Sequence, residues 1–311
     1  RDGERTAERP TSPPDRLVRR APDAGAVRGK RLCDGARQLR DAERDPEPGE
    51  EHRGEELHPV ARLGAEEEQP PRAGDGVHDA TEDDERPLAD AAVDLLADCY
   101  GIRARTTVIP HGMPAIKPNG RVRMKKKLGV PGRTLISTFG LVDPRKGLEY
   151  MIEAMPAVLA RHPDALYLIA GQTHPELVRH DGERYRNQLV ETVKRLDLAK
   201  NVWFLDLYMP QPDIIELLRA TDVYVTPYLD PHQITSGTLA YALGAGKAIV
   251  STAYVHAKEA LADNRGILVG FRDSDQLSEA VNLVLDHPER KQSLERASYA
   301  YAKDMTWPKA G

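Results

Sequence analysis

The chain has 311 residues and a formal net charge of -5, from 44 Lys and Arg against 49 Asp and Glu. Both signs are interspersed, so there is no basic face for nucleic acid and no polybasic patch for an anionic membrane. Cys33 and Cys99 lie in unlike regions without metal-ligand spacing, which argues against a disulfide or zinc site and fits a reducing, cytoplasmic setting. The N-terminus lacks an apolar signal core, and no apolar run approaches the ~20 residues of a membrane span.

Two unlike pieces make up the sequence. Residues 1–86 hold fifteen Arg, a single Lys (Lys30), and no Ile, Phe, Tyr, Trp, Met or Asn. Such text has too little apolar side chain to offset the entropy of ordering its backbone. It reads as a disordered segment or as out-of-frame translation of GC-rich DNA. A single Ser (Ser12) and the lack of any repeat favour the second, since natural linkers are usually Ser-rich or repetitive. From Leu88 onward composition is ordinary, and the expected division is 1–86, a helical connector over 87–104, and one α/β domain over 105–311.

In chain order, Leu88–Tyr100 has apolar residues at helical spacing and a Gly101 stop, and Thr106–Pro110 is a short strand running into His111 and Gly112. A basic loop follows, with a short helix near Val122–Leu128. Then short apolar runs alternate with helical patterns. Strands are expected at 135–139, 165–170, 201–205, 222–227, 248–251 and 266–269. Helices are expected at 147–160, 182–196, 213–220, 236–243, 256–262, 273–286 and 288–304. This alternation implies βαβ units and a doubly wound, Rossmann-like parallel sheet. Ligands in such sheets bind beyond the carboxyl ends of the strands, which selects the loops after Phe139, Ala170, Pro227 and Ser251.

Three of these regions could carry chemistry. Gly140 to Gly147 places Arg145 and Lys146 at a helix N-terminus, where the dipole disfavours cations; a phosphate between them would explain the choice. The stretch from Asp230 through Thr235, Ser236, Gly237 and Thr238 opens the next helix. Ser and Thr there are cap chemistry, and Gly237 lets a ligand approach the free amides. Gly171, Gln172, Thr173, His174, Pro175 and Glu176 form a loop with a Pro turn, or the lip of a nucleotide pocket. His174 and Glu176 lack further ligands for a metal. Gly244-Ala245-Gly246-Lys247 is not a phosphate loop, because Ala248 and Tyr241 stand where Ser or Thr and Gly are needed.

Taken together, these segments resemble family 4 retaining glycosyltransferases of the GT-B fold. The matching stretches are VIPHG (108–112), STFGLVDPRKGLEYMIEAM (137–155), ALYLIAG (165–171), DVYVTPY (222–228), QITSGTLAYALGAGKAIVST (233–252) and HAKEALADNRGILV (256–269). The resemblance implies the donor-binding half of a two-domain enzyme. It implies transfer of a sugar from a nucleotide diphosphate to an acceptor hydroxyl, with retention and no metal cofactor. The acceptor would be a glycan, a lipid or a small molecule. By position, Lys146 resembles the Lys that neutralises the donor diphosphate. The usual Arg falls at Leu141, for which Arg145 would substitute. The family's Glu pair falls at Gln233 and Tyr241. Gln233 can bond sugar hydroxyls, but Tyr241 does not replace a carboxylate that accepts two ribose hydroxyls. Gly140, Gly171, Gln172, Thr235, Ser236, Gly237, Thr238 and Tyr241 are the expected donor contacts, and Lys146, Arg145 and Gln233 the expected catalytic set.

The acceptor domain and its peripheral membrane contact would precede residue 105, where the text cannot build them. The expectation is weak nucleotide binding and little transfer by this chain. The alternative is a non-catalytic nucleotide- or glycan-binding α/β module from a degraded gene.

Overall fold

The computed structural model describes residues 111–310. The segment 1–86, the helix expected over Leu88–Tyr100 and the strand at Thr106–Pro110 lie outside the described residues.

Six strands form one parallel sheet: β1 (Thr134–Phe139), β2 (Ala165–Ala170), β3 (Val202–Leu205), β4 (Val223–Thr226), β5 (Ala248–Thr252) and β6 (Ile267–Val269), in the order β3-β2-β1-β4-β5-β6. Helices cover both faces. Strands buried on both sides have no polar face to show, which is why β2 reads ALYLIA with every residue buried. The chain leaves β1 toward β2 and β3 on one side, and returns to β1's other side with β4. The topological switch therefore lies between β1 and β4, where helices wound to opposite faces leave a crevice.

Ten helices are described: α1 (Arg121–Lys127), α2 (Leu148–Leu159), α3 (Pro175–Asp181), α4 (Arg184–Arg195), α5 (Gln211–Ala220), α6 (Gly237–Gly244), α7 (Val255–Ala260), α8 (Ser274–Asp286), α9 (Pro288–Ala302) and α10 (Trp307–Ala310). Each face of the sheet has its own core. One contains Leu135, Tyr224, Leu239, Leu243 and Ile249; the other contains Ile136, Met151, Ile152, Met155, Tyr167 and Val250. Alternate residues of one strand serve opposite cores, as a two-residue period requires. Leu148, Met151, Ile152, Met155 and Val158 of α2 are all buried. Burying one such side chain contributes roughly 1.5–3 kcal/mol, so this face fixes the loop that precedes it.

Two expectations change. The helix expected from Gly147 is preceded by a 3-10 turn, Pro144–Lys146, with Gly147 as the joint to α2. The loop expected through Glu176 instead enters α3, whose N-cap His174 accepts the Glu176 amide at Nδ1 at 3.2 Å. No residue of α3 is buried, so it has no apolar period to read. Among the described residues, no helix is long and apolar enough to cross a membrane.

Candidate functional site

The Asp143-Pro144-Arg145-Lys146 turn is closed on itself. Asp143 accepts the Arg145 amide at 2.8 Å, and Arg145 returns Nε and Nη2 to the same carboxylate at 2.9 and 2.8 Å. That guanidinium holds the Asp143 carboxyl below the usual carboxylate range. Gly147 then turns the chain with φ +59, and a Cβ there would stand 2.2 Å from the Pro227 carbonyl oxygen. Only glycine, which lacks a Cβ, tolerates both that dihedral and so close an approach. The contact seats the turn against the carboxyl end of β4, where the Leu229 amide also donates to the Arg145 carbonyl at 2.9 Å.

This packing aims Lys146 over an aromatic floor. Its Nζ lies 3.8 Å from the centroid of Tyr228, which stacks on Tyr254 at 5.5 Å and 16°. Tyr228 is fully buried, and its hydroxyl meets Thr238 Oγ1 at 2.7 Å. A ring face attracts an ammonium without neutralising it. Burial lowers the Lys146 pKa to about 8, against the opposing pull of Asp143. The side chain is thus charged at neutral pH, poorly solvated and bonded to no carboxylate among the described residues.

Helix α6 begins across the crevice. Ser236 caps it, accepting the Leu239 amide at 3.3 Å. The Ser236 amide donates to His256 Nδ1 at 2.9 Å, so it is not free for a ligand as the sequence suggested. Only a neutral imidazole can accept that bond, and burial together with neighbouring His111 lowers the His256 pKa to about 4. The amides of Gly237 and Thr238 have no acceptor among the described residues, as the first turn of a helix leaves them. His111 Nε2 stands 3.0 Å from where a Gly237 Cβ would lie.

Between these walls lies a cleft of 420 Å³, lined by Gly140, Leu141, Asp143, Arg145, Lys146, His174, Asp230, Gln233, Thr235 and Thr238. The fold thus gathers Gly140, Arg145, Lys146, Gln233, Thr235 and Thr238 of the expected set. Gly171, Gln172, Ser236, Gly237 and Tyr241 do not line it. Gly171 supports the wall: its carbonyl takes Arg186 Nη2 at 2.7 Å, and a Cβ on it would stand 1.9 Å from the Gly140 oxygen. Tyr241 packs its ring at 6.3 Å from Phe139 and receives Gln211 Nε2 on its hydroxyl at 2.9 Å. Sequence reasoning missed Asp143, Tyr228 and His256. Asp143 had a signal, as an Asp before Pro is a common turn cap; the other two act through long-range contacts. Among the described residues, no group of three or more His, Cys, Asp or Glu is placed to hold a metal ion.

The family model for "Glycosyl transferases group 1" matches residues 121–301. The chain is 30% identical over 200 residues to the GDP-mannose-dependent monoacylated alpha-(1-6)-phosphatidylinositol monomannoside mannosyltransferase of Corynebacterium glutamicum, covering 61% of this chain and 48% of that protein. Its fold matches the UDP complex of Anabaena HepE with a TM-score of 0.60 at 21% identity, over 68% of this chain and 57% of that one. It also matches the C-terminal domain of a group 1 glycosyl transferase, LpcC, from Francisella tularensis. There the TM-score is 0.54 at 20% identity, over 61% of this chain and 95% of that one. The chain spans about half the length of the curated relatives it matches.

Proposed function

The chain belongs to the group 1 glycosyl transferases, and from that premise we propose that residues 111–310 bind a nucleotide-diphosphate sugar and present it for transfer, with retention, to an acceptor hydroxyl. The observation that carries this is Lys146. It is a partly desolvated cation without a carboxylate partner, facing a cleft whose far side is the open N-terminus of α6.

The diphosphate bridges the two walls. Lys146 supplies a point charge, and the Thr238 amide supplies an oriented donor with the positive end of the α6 dipole behind it. As the bond from the sugar to the diphosphate breaks, negative charge grows on the leaving oxygens. Donors fixed beforehand stabilise that charge without reorganising. Arg145 neutralises Asp143, which otherwise would repel the diphosphate from the same cleft. Gln233 spends its amide N–H on the Thr235 carbonyl at 3.0 Å, which leaves its side-chain oxygen to accept a sugar hydroxyl. No step in this scheme calls for a metal. In this scheme the acceptor is held by a part of the protein beyond these residues. The name of the Corynebacterium relative makes GDP-mannose the first donor to try, with a lipid-linked acceptor.

Calorimetry with UDP, GDP and ADP tests the reading. The wild type binds at least one of them. Lys146→Ala weakens that binding roughly 10- to 100-fold, the scale of losing a hydrogen bond to a charged group. Equal binding by the variant would overturn the phosphate role of Lys146.

A further inference from the structure

Three hydroxyls meet at the start of α6. Thr238 Oγ1 lies 2.7 Å from the Tyr228 hydroxyl and 3.1 Å from Ser236 Oγ. A threonine oxygen offers two lone pairs and one proton. Tyr228 and Ser236 are buried, and among the described residues neither of their O–H groups has another acceptor within hydrogen-bond distance. Ser236 Oγ already accepts the Leu239 amide at 3.3 Å. A buried O–H without an acceptor forfeits its hydration for nothing, so both hydroxyls donate to Thr238 Oγ1 and fill its lone pairs. The Thr238 proton then has one direction left. Thr238 lines the cleft with Lys146, and the proton points there.

Tyr228 serves both walls at once. Its ring face carries Lys146 Nζ at 3.8 Å from the centroid, while its hydroxyl holds Thr238. One side chain therefore spaces the cation of one wall against the hydroxyl of the other, and stacking on Tyr254 keeps the ring in place. Burial pushes the Tyr228 phenol up to about 12, so it keeps its proton wherever Lys146 is charged. We infer that the Thr238 hydroxyl is a fixed donor to the leaving diphosphate, and that Tyr228 is the positioning residue that aims it. A hydroxyl that can only donate suits an oxygen that can only accept, which a phosphate oxygen is, and offers nothing to a group that must donate. Its bond strengthens as charge grows on the leaving oxygen, with no reorganisation at that moment. This role rests on the proposed diphosphate site, which brings such an oxygen to Thr238.

Two double-mutant cycles test it, with the full chain and calorimetry of UDP, GDP and ADP. Thr238→Val removes the hydroxyl at constant volume and is expected to weaken binding roughly tenfold or more, the scale of a hydrogen bond to a charged group. Thr238→Ser keeps the hydroxyl and is expected to bind close to the wild type. Tyr228→Phe keeps the ring under Lys146 and is expected to weaken binding by a smaller factor. Combined with Thr238→Val it should add no further loss, because Tyr228 acts through that hydroxyl; combined with Lys146→Ala its loss should multiply. Urea unfolding reads the same network without ligand. Thr238→Val strands the Tyr228 O–H, so adding Tyr228→Phe should restore part of the lost stability. Wild-type binding by Thr238→Val would overturn the inference, and so would losses that multiply between Tyr228→Phe and Thr238→Val; in either case the diphosphate reading stands as long as Lys146→Ala still weakens binding. A folded wild type that binds none of the three nucleotides would instead remove the diphosphate reading, and this inference with it.

Discussion

At the amino ends of the strands, Asp222 gathers Lys125, Lys291 at 3.0 Å and Arg121 at 3.6 Å, and Arg121 also reaches Glu295. At the carboxyl ends, Lys146 rests on a tyrosine ring, and the nearest acid, Asp143, is already held by Arg145. The two sets of cations are separated only by the length of one sheet. In the first, the protein supplies the counter-charge and locks three elements together: α1, the entry to β4, and α9. In the second, it withholds the counter-charge and desolvates the cation. A buried cation paired from within serves stability, and one left for an outside anion serves binding.

The sharpest way to break this contrast is Asp222→Ala. Burial pushes the Asp222 carboxyl up, but Lys291, Lys125 and the Leu135 amide outweigh that and hold it below its usual range. Its removal leaves several half-buried cations and a strand amide without their acceptor. The expected loss is about 3–5 kcal/mol in urea unfolding, the cost of breaking a buried pair from one side. Nucleotide binding by the protein that remains folded should be unchanged.

Lys247 sharpens the same end. It is fully buried, and its ammonium reaches the Thr221 carbonyl at 3.3 Å. Burial first, and Arg121 next, lower its pKa to about 7. An unfolded chain keeps this lysine protonated up to about 10.4, so between pH 7 and 10 the unfolded state holds more protons and stability rises with pH. The Lys247 share of that slope is at most about 1.4 kcal/mol per pH unit. Lys247→Met should remove it and gain most at pH 6–7, measured by denaturation at several pH values. A slope unchanged by the substitution would place the titration elsewhere.

The smallest effect belongs to Lys146. Its charge is present below about pH 8, so affinity for a nucleoside diphosphate should hold from pH 6.5 to 7.5 and decline by up to about tenfold per unit above 8. In Lys146→Ala that decline should vanish. Stability runs the opposite way over the same range, because neutral Lys146 suits its half-buried place better.

Much of this was legible in the residues. The strands were visible because a sheet covered on both faces leaves unbroken apolar runs such as LISTF and ALYLIA. Lys146 was legible because two cations before a helix oppose the dipole and so invite another explanation. What stayed hidden was contact between distant segments. Tyr228 reads as a strand-end aromatic until the fold lays Lys146 across it. His256 reads as an ordinary helix residue until its Nδ1 meets the Ser236 amide. The pairing of Lys125 with Asp222 spans 97 residues, and no local pattern reports it.

One detail of the cleft bears on how it works. Past Phe139 and Ala170 the backbones do not part: Gly140 donates to Ala170, Val142 to the Gln172 carbonyl at 2.8 Å, and His174 to the Val142 carbonyl at 2.9 Å. The lip that carries Leu141 and His174 is therefore an extension of the β1–β2 ladder. Its Val142 and His174 amides should exchange with deuterium on the slow timescale of the central strands, not on that of surface loops. A ligand then meets a wall already in its final shape, and pays little of its binding free energy to order it.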